Sequence, residues 1–162
     1  MSARVYVASP LGFTEATRLF YSDVLLPSLH AAGLMPCDPW AAGEPITRAL
    51  SVADPGERRA ALREANHQVG LANEELIGSS AGVLAVLDGA DVDSGTASEI
   101  GWASAKGLPI VGWRSDFRQS SDNEGCLVNL QVEYFIHRSG GVIERDLGRA
   151  IETMSRLLEA RA

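Results

Sequence analysis

Cysteine is scarce: Cys37 and Cys126 lie far apart in 162 residues and form neither a CxxC pair nor a Cys/His ligand spacing. That excludes a disulfide scaffold and a zinc ribbon, and both read as reduced thiols. Histidine is as sparse, with His30, His67 and His137 scattered and no pair at metal-ligand spacing, so no metal and no cofactor are expected. No apolar run approaches the roughly 18 residues a membrane-spanning helix needs. The N-terminus lacks the charged-then-apolar pattern of a signal peptide, so no membrane association and a cytoplasmic location are expected. Basic residues are in the minority, 14 against 21 acidic, for a net charge of −7. They form no run, which argues against a surface that tracks nucleic-acid phosphates. The expected partner is a small molecule or a second copy of the chain. There is no repeat, low-complexity tract or linker. A hydrophobic content of 46% suits one domain over residues 1–162.

What is present alternates strand with helix. Arg4 to Ala8 is β-branched and aromatic and ends at Ser9-Pro10, a first strand. Thr14-Glu15 opens a helix whose apolar residues keep three-to-four spacing to Gly33, with a kink expected at Pro27. Leu34 to Cys37 is a weak second strand. Asp38 to Pro55, rich in Pro, Ala and Gly, reads as a long loop and a flap beside a ligand. A helix is expected over 57–77, a strand over 108–113 and a polar loop over 114–125, in which Asp116 and Arg118 can pair. Residues 128–137 fit both alternation and helical spacing and are assigned to a helix. Val142-Ile143 adds a short edge strand and 144–158 a final amphipathic helix. This order predicts an α/β protein with a flavodoxin-like, doubly wound sheet of five parallel strands in three layers.

The chemistry centres on residues 83–105, VLAVLDGADVDSGTASEIGWASA. Val83 to Asp88 has the composition of a strand buried on both faces and stops at Asp88-Gly89; helical spacing resumes at Thr96 and runs to Lys106. Ligands of open parallel sheets sit beyond the carboxyl ends of strands, where Asp88, Asp91, Asp93, Ser94 and Glu99 would gather. A phosphate loop would offer bare amides and a Lys or Arg. Carboxylates suit a hydroxylated ligand or a cationic transition state. A bland alternative stands beside this: Thr96 and Glu99 fit a capping box, with Asp88 and Asp91 as solvated turn residues. Tyr6 on its own reads as a core aromatic. Phe13 can stack on a flat base or simply pack its loop, and Arg18 faces either solvent or the pocket.

At LDGADVDSGTASEIGWA the chain resembles the nucleoside 2-deoxyribosyltransferase family, with Asp93 six residues ahead of Glu99. VYVASPLGF at 5–13 looks like that family's first strand and loop, and RSDFRQSSDNEGCLVNLQVEYFI at 114–136 like its late segment. The resemblance implies that Glu99 is the nucleophile, contacted by Tyr6, with Asp93 in the site. It implies that Asn73 or its neighbour Glu74 helps hold the base, and that Asn129 serves the site of a neighbouring protomer in a homo-oligomer. Ser94 and Gln131 are further candidates for base and sugar contacts.

The expected reaction moves 2-deoxyribose from a deoxynucleoside to a free nucleobase through a covalent deoxyribosyl-Glu99 ester, with retention. Glu99 is expected to be ionised at rest, and a strongly raised pKa would count against its nucleophilic role. Two alternatives remain. A sister group hydrolyses the N-glycosidic bond of nucleoside 5′-monophosphates and carries Gly-Gly-Arg in the first loop, where this chain has SPLGF, leaving only Arg18 and Ser94 for a phosphate. A non-catalytic, flavodoxin-like nucleotide-binding or receiver module is the other; a receiver's acidic pair after strand one is replaced here by Ala8-Ser9-Pro10.

Overall fold

The computed structural model describes residues 2–161. Five strands form one parallel sheet: β1 (Arg4–Ala8), β2 (Met35–Cys37), β3 (Gly82–Val86), β4 (Ile110–Trp113) and β5 (Ile143–Glu144), in the order β2-β1-β3-β4-β5. The predicted doubly wound architecture is therefore found, with its switch of direction between β1 and β3. Tyr6 pairs with Val83 and Ala8 with Ala85 across that junction. Every residue of β3 is buried, as its unbroken apolar run requires for a strand covered on both faces. Each large side chain so buried, Val83, Leu84 or Val86, contributes about 1.5–3 kcal/mol. One core lies between the sheet and α5 (Ser94–Ala105) and α6 (Leu130–Arg138), around Tyr6, Leu87, Ile100 and Ile136. The other lies beneath α7 (Leu147–Glu159) and the first helical stretch, around Leu25, Leu29, Leu84 and Met154. The 128–137 segment, ambiguous by pattern, is helical because Val132 and Ile136 share one buried face.

Around Pro27 the first helix is not uniform: α1 (Glu15–Phe20) passes through a π-helical turn at Tyr21–Leu25 into α2 (Leu26–Ala31). Proline cannot donate and its ring crowds the carbonyl four residues back; the wider turn just before it, where the Leu26 amide reaches the Tyr21 carbonyl, accommodates that loss. Residues 38–55 are not a structureless loop. A 3-10 turn at Pro39–Ala42 is followed by α3 (Glu44–Leu50), which packs on the long α4 (Pro55–Gly78). Pro45 sits in the first turn of α3, where its missing N–H costs no bond.

Candidate active site

The carboxyl ends of β1 and β3 open into a cavity of about 300 Å³. Glu99, Asp93, Thr96 and Gly95 line it from the start of α5, Asn66, Val69 and Asn73 from α4, Ser9 and Phe13 from the β1 loop, and Pro39, Trp40 and Ile46 from the segment over its mouth.

The local fold of α5 aims Glu99 inward. Asp93, not Thr96, caps the helix: its Oδ2 accepts from the Thr96 amide at 3.0 Å and lies 3.4 Å from the Thr96 hydroxyl. The capping-box reading of Thr96 and Glu99 is thereby overturned, because the helix begins at Ser94 and leaves Glu99 in its second turn. Instead the Tyr6 hydroxyl donates to Glu99 Oε1 at 2.5 Å, joining the centre of β1 to α5. Tyr6 is fully buried, and burial with the charge of Glu99 beside it pushes its phenol far above the usual range, so it stays a donor. Burial pushes Glu99 up to about 7; the Tyr6 hydrogen bond opposes this and the nearby Asp93 charge adds to it. The expectation of a Glu99 ionised at rest is thus corrected: burial favours its protonated acid.

A second tyrosine–carboxylate pair lies behind the first. Tyr21 donates to Asp38 Oδ1 at 2.7 Å, and the same oxygen accepts the Trp40 amide at 2.9 Å. Burial raises the Tyr21 phenol, helped by that bond. Trp40 is further held by its indole N–H on the Ser9 carbonyl at 3.2 Å and by an edge contact with Phe13, ring centroids 4.6 Å apart. Its ring lies against Gly12, where an added Cβ would come within 2.2 Å of it. Gly12→Ala should therefore displace the indole and weaken substrate binding, raising KM by about tenfold with little loss of fold; steady-state kinetics beside a melting curve check this.

The remaining predicted residues divide. Asn73 faces the cavity, its buried Oδ1 without a partner among the described residues, whereas Glu74 beside it is exposed. Phe13 lines the cavity and is 66% exposed. Ser94 is exposed on the first turn of α5 and does not line it. Asn129 caps α6, accepting from the Gln131 amide at 3.0 Å; neither it nor exposed Gln131 reaches the cavity of its own chain. Arg18 is exposed, its Nε on the Gly12 carbonyl at 3.2 Å. Asp88 and Asp91 do not join the carboxylate cluster: Asp88 accepts from the Ser115 hydroxyl and the Asp116 amide, and Asp91 accepts the Val92 amide in an exposed turn. Asp116 and Arg118 do pair, which holds the Asp116 carboxyl well below the usual range. Sequence reasoning missed Trp40, Pro39, Ile46, Asn66 and Val69; the signal for Trp40 was an aromatic in the segment already read as a flap.

A sheet of this topology, with a tyrosine-held carboxylate in a hollow at its switch point, defines an α/β enzyme site suited to polar, hydroxylated ligands. The comparisons narrow this. The profile of the nucleoside 2-deoxyribosyltransferase family matches residues 5–131, and the chain belongs to that family. It is therefore an enzyme that acts on glycosidic bonds. The fold is shared over nearly the whole length with a conserved protein from Enterococcus faecalis, at 24% identity, TM-score 0.72 and coverage of 97% of this chain and 99% of that one. A 2-deoxyribosyltransferase from Bacillus psychrosaccharolyticus is similar at 19% identity, TM-score 0.62 and 96% coverage of both chains. A CMP N-glycosidase from Clostridium botulinum is similar at 18% identity, TM-score 0.55 and coverage of 95% of this chain and 98% of that one. No curated protein matches the chain. Among the described residues no helix is long and apolar enough to cross a membrane.

Proposed function

We propose that residues 1–162 act as one nucleoside 2-deoxyribosyltransferase-like domain that moves 2-deoxyribose between nucleobases. The observation that carries this is the 2.5 Å Tyr6–Glu99 hydrogen bond at the wall of a nucleoside-sized cavity. Glu99 attacks the anomeric carbon from the face opposite the base. The C–N bond breaks, its electron pair leaves with the base, which takes up a proton from Asp93 or solvent, and a deoxyribosyl ester forms on Glu99. A free base entering where the first one left attacks the same carbon and gives up its N–H proton by the reverse route, the ester bond breaks, and the sugar leaves with net retention. Glu99 and Asp93 stabilise the oxocarbenium-like charge in both steps. A sugar lacking the electron-withdrawing 2-hydroxyl reaches that charge more easily. Asp93, already an acceptor at the start of α5, suits the sugar's 5-hydroxyl. Phe13 and Trp40 offer aromatic faces to the base, and Asn73 lines the same cavity from α4. Asn129 and Gln131, remote from their own cavity, fit a homo-oligomer in which Asn129 completes a neighbouring site.

The raised pKa of Glu99 counts against the nucleophilic role, while the Tyr6 hydrogen bond, which favours the anion, counts for it; only the ionised share of the enzyme attacks. Hydrolysis of nucleoside 5′-monophosphates is less well supported, since the cavity is lined by Asp93 and Glu99 and by no Lys or Arg among the described residues. The test is incubation of a deoxynucleoside, or its 5′-monophosphate, with a different free base. Formation of a new deoxynucleoside, at a rate at least about tenfold above any cleavage of the monophosphate, is expected. Free deoxyribose 5-phosphate as the main product would replace this reading with the hydrolase one.

A further inference from the structure

We propose that Arg114 is a positioning residue for the chemistry at Glu99, a buried cation that keeps the loop leading into α5 in register with the loop after β4; this rests on the reading given under Proposed function. Arg114 follows β4 and is fully buried. No carboxylate lies within ion-pair distance of it among the described residues. A guanidinium taken out of water without a direct counter-ion is unfavourable unless its N–H groups are well used. Here they reach backbone and hydroxyl oxygens instead. Nη1 donates to the Leu87 carbonyl, and Nη2 lies 2.9 Å from the Arg118 carbonyl, 2.8 Å from the Ser120 hydroxyl and 3.4 Å from the Gly89 carbonyl. Nε is buried without a partner among the described residues.

These acceptors belong to two stretches. Leu87 and Gly89 open the loop from β3 to Asp93, and Arg118 and Ser120 lie in the loop that runs on to Asn129. The first loop has two further ties across the structure: the Leu87 amide donates to the Trp113 carbonyl at 2.9 Å, and the Asp88 carboxylate accepts from Ser115 and, at 2.8 Å, from the Asp116 amide. All of these anchors end on residues 113–116. Beyond Gly89 the next bond is local, Val92 amide to Asp91 Oδ1 at 2.8 Å, after which Asp93 caps α5 and lines the cavity. Asp93 and Glu99 belong to the same helix start, and it is this start of α5, carrying both carboxylates to the end of β1 and Tyr6, that Arg114 helps reference to β4. Displacing a reacting or stabilising group by about 1 Å lowers turnover by up to about a hundredfold.

Base exchange by Arg114→Met, Arg114→Lys and Ser120→Ala is measured as separate kcat and KM, normalised to the folded fraction from near-ultraviolet circular dichroism. For Arg114→Met, kcat per folded molecule is expected to fall about ten- to hundredfold with KM within about threefold of wild type. Arg114→Lys, which keeps the charge but cannot span all the acceptors, should fall between, and Ser120→Ala should shift less in the same direction. If Arg114→Met does not fold, the other two variants carry the comparison. Arg114→Lys and Ser120→Ala proteins that melt lower yet keep wild-type kcat per folded molecule would reduce Arg114 to a structural pin. Wild-type protein that cleaves no N-glycosidic bond would sink the underlying reading and this proposal with it, a result distinct from active wild type with unaffected variants.

Discussion

Glu99→Ala should abolish base exchange, with a fall in kcat on the order of a thousandfold or more, because the other carboxylate lining the cavity, Asp93, is engaged as the cap of α5. A thousandfold is about 4 kcal/mol of lost transition-state stabilisation. Glu99→Gln is the sharper variant. It keeps the shape and can accept the Tyr6 hydrogen bond, yet cannot form the ester, so it should be as inactive while the cavity stays intact. Its stability should move the other way. Because the folded pKa of Glu99 lies above its unfolded value, the stability tied to its protonated form is complete below about 4.5 and is lost as pH rises through about 7. Glutamine mimics the protonated form at every pH. Glu99→Gln should therefore match wild type near pH 5 and exceed it at pH 8 by on the order of 1–3 kcal/mol, read from melting curves at the two pH values. A variant that still exchanges bases would remove Glu99 from the chemistry. One that is inactive but no more stable at high pH would show that the carboxylate is not desolvated in the free enzyme.

The same residue shows what could be read in advance. Tyr6 joined Asp93 and Glu99 only through the family resemblance: the strand-end argument brought the two carboxylates together, but left Glu99 open to a capping role and Tyr6 a core aromatic. The cap in fact fell to Asp93, whose short side chain reaches the Thr96 amide from outside the helix, as an N-cap requires. The strands were legible because parallel strands buried on both faces are uninterrupted apolar runs. Residues 38–55 were not, because Pro39, Gly43, Pro45 and Pro55 read as breakers. Two of those prolines instead stand in the first turn of a helix, Pro45 in α3 and Pro55 in α4. Trp40 was missed for that reason: a cavity wall built from segments distant in the chain leaves no local pattern. Asp88 was misplaced because composition shows how many carboxylates lie near a strand end, not which of them the neighbouring loop will occupy.

Tyr6→Phe should move the pH dependence of exchange in one direction. The Tyr6 hydroxyl donates to Glu99 and favours its anion, while burial and Asp93 favour the acid. In wild type, kcat/KM should rise with pH to a plateau, with a midpoint near 7 set by the free enzyme's Glu99. Without the hydroxyl only the raising influences remain, so the midpoint shifts upward. Below it the rate falls about tenfold per pH unit, so the loss in Tyr6→Phe should be larger at pH 6 than at pH 8.5. A residual deficit of about tenfold on the high-pH plateau should remain, from the lost orientation of the attacking oxygen. Stability carries the same sign: a higher folded pKa for Glu99 means that the penalty for its buried charge grows as pH rises, so Tyr6→Phe should be most destabilised, relative to wild type, at alkaline pH. If instead the Tyr6→Phe profile is displaced to lower pH, Tyr6 is not stabilising an anion at Glu99. The proton lost at the midpoint would then belong to another group, and with it the assignment of Glu99 as the attacking carboxylate would fall.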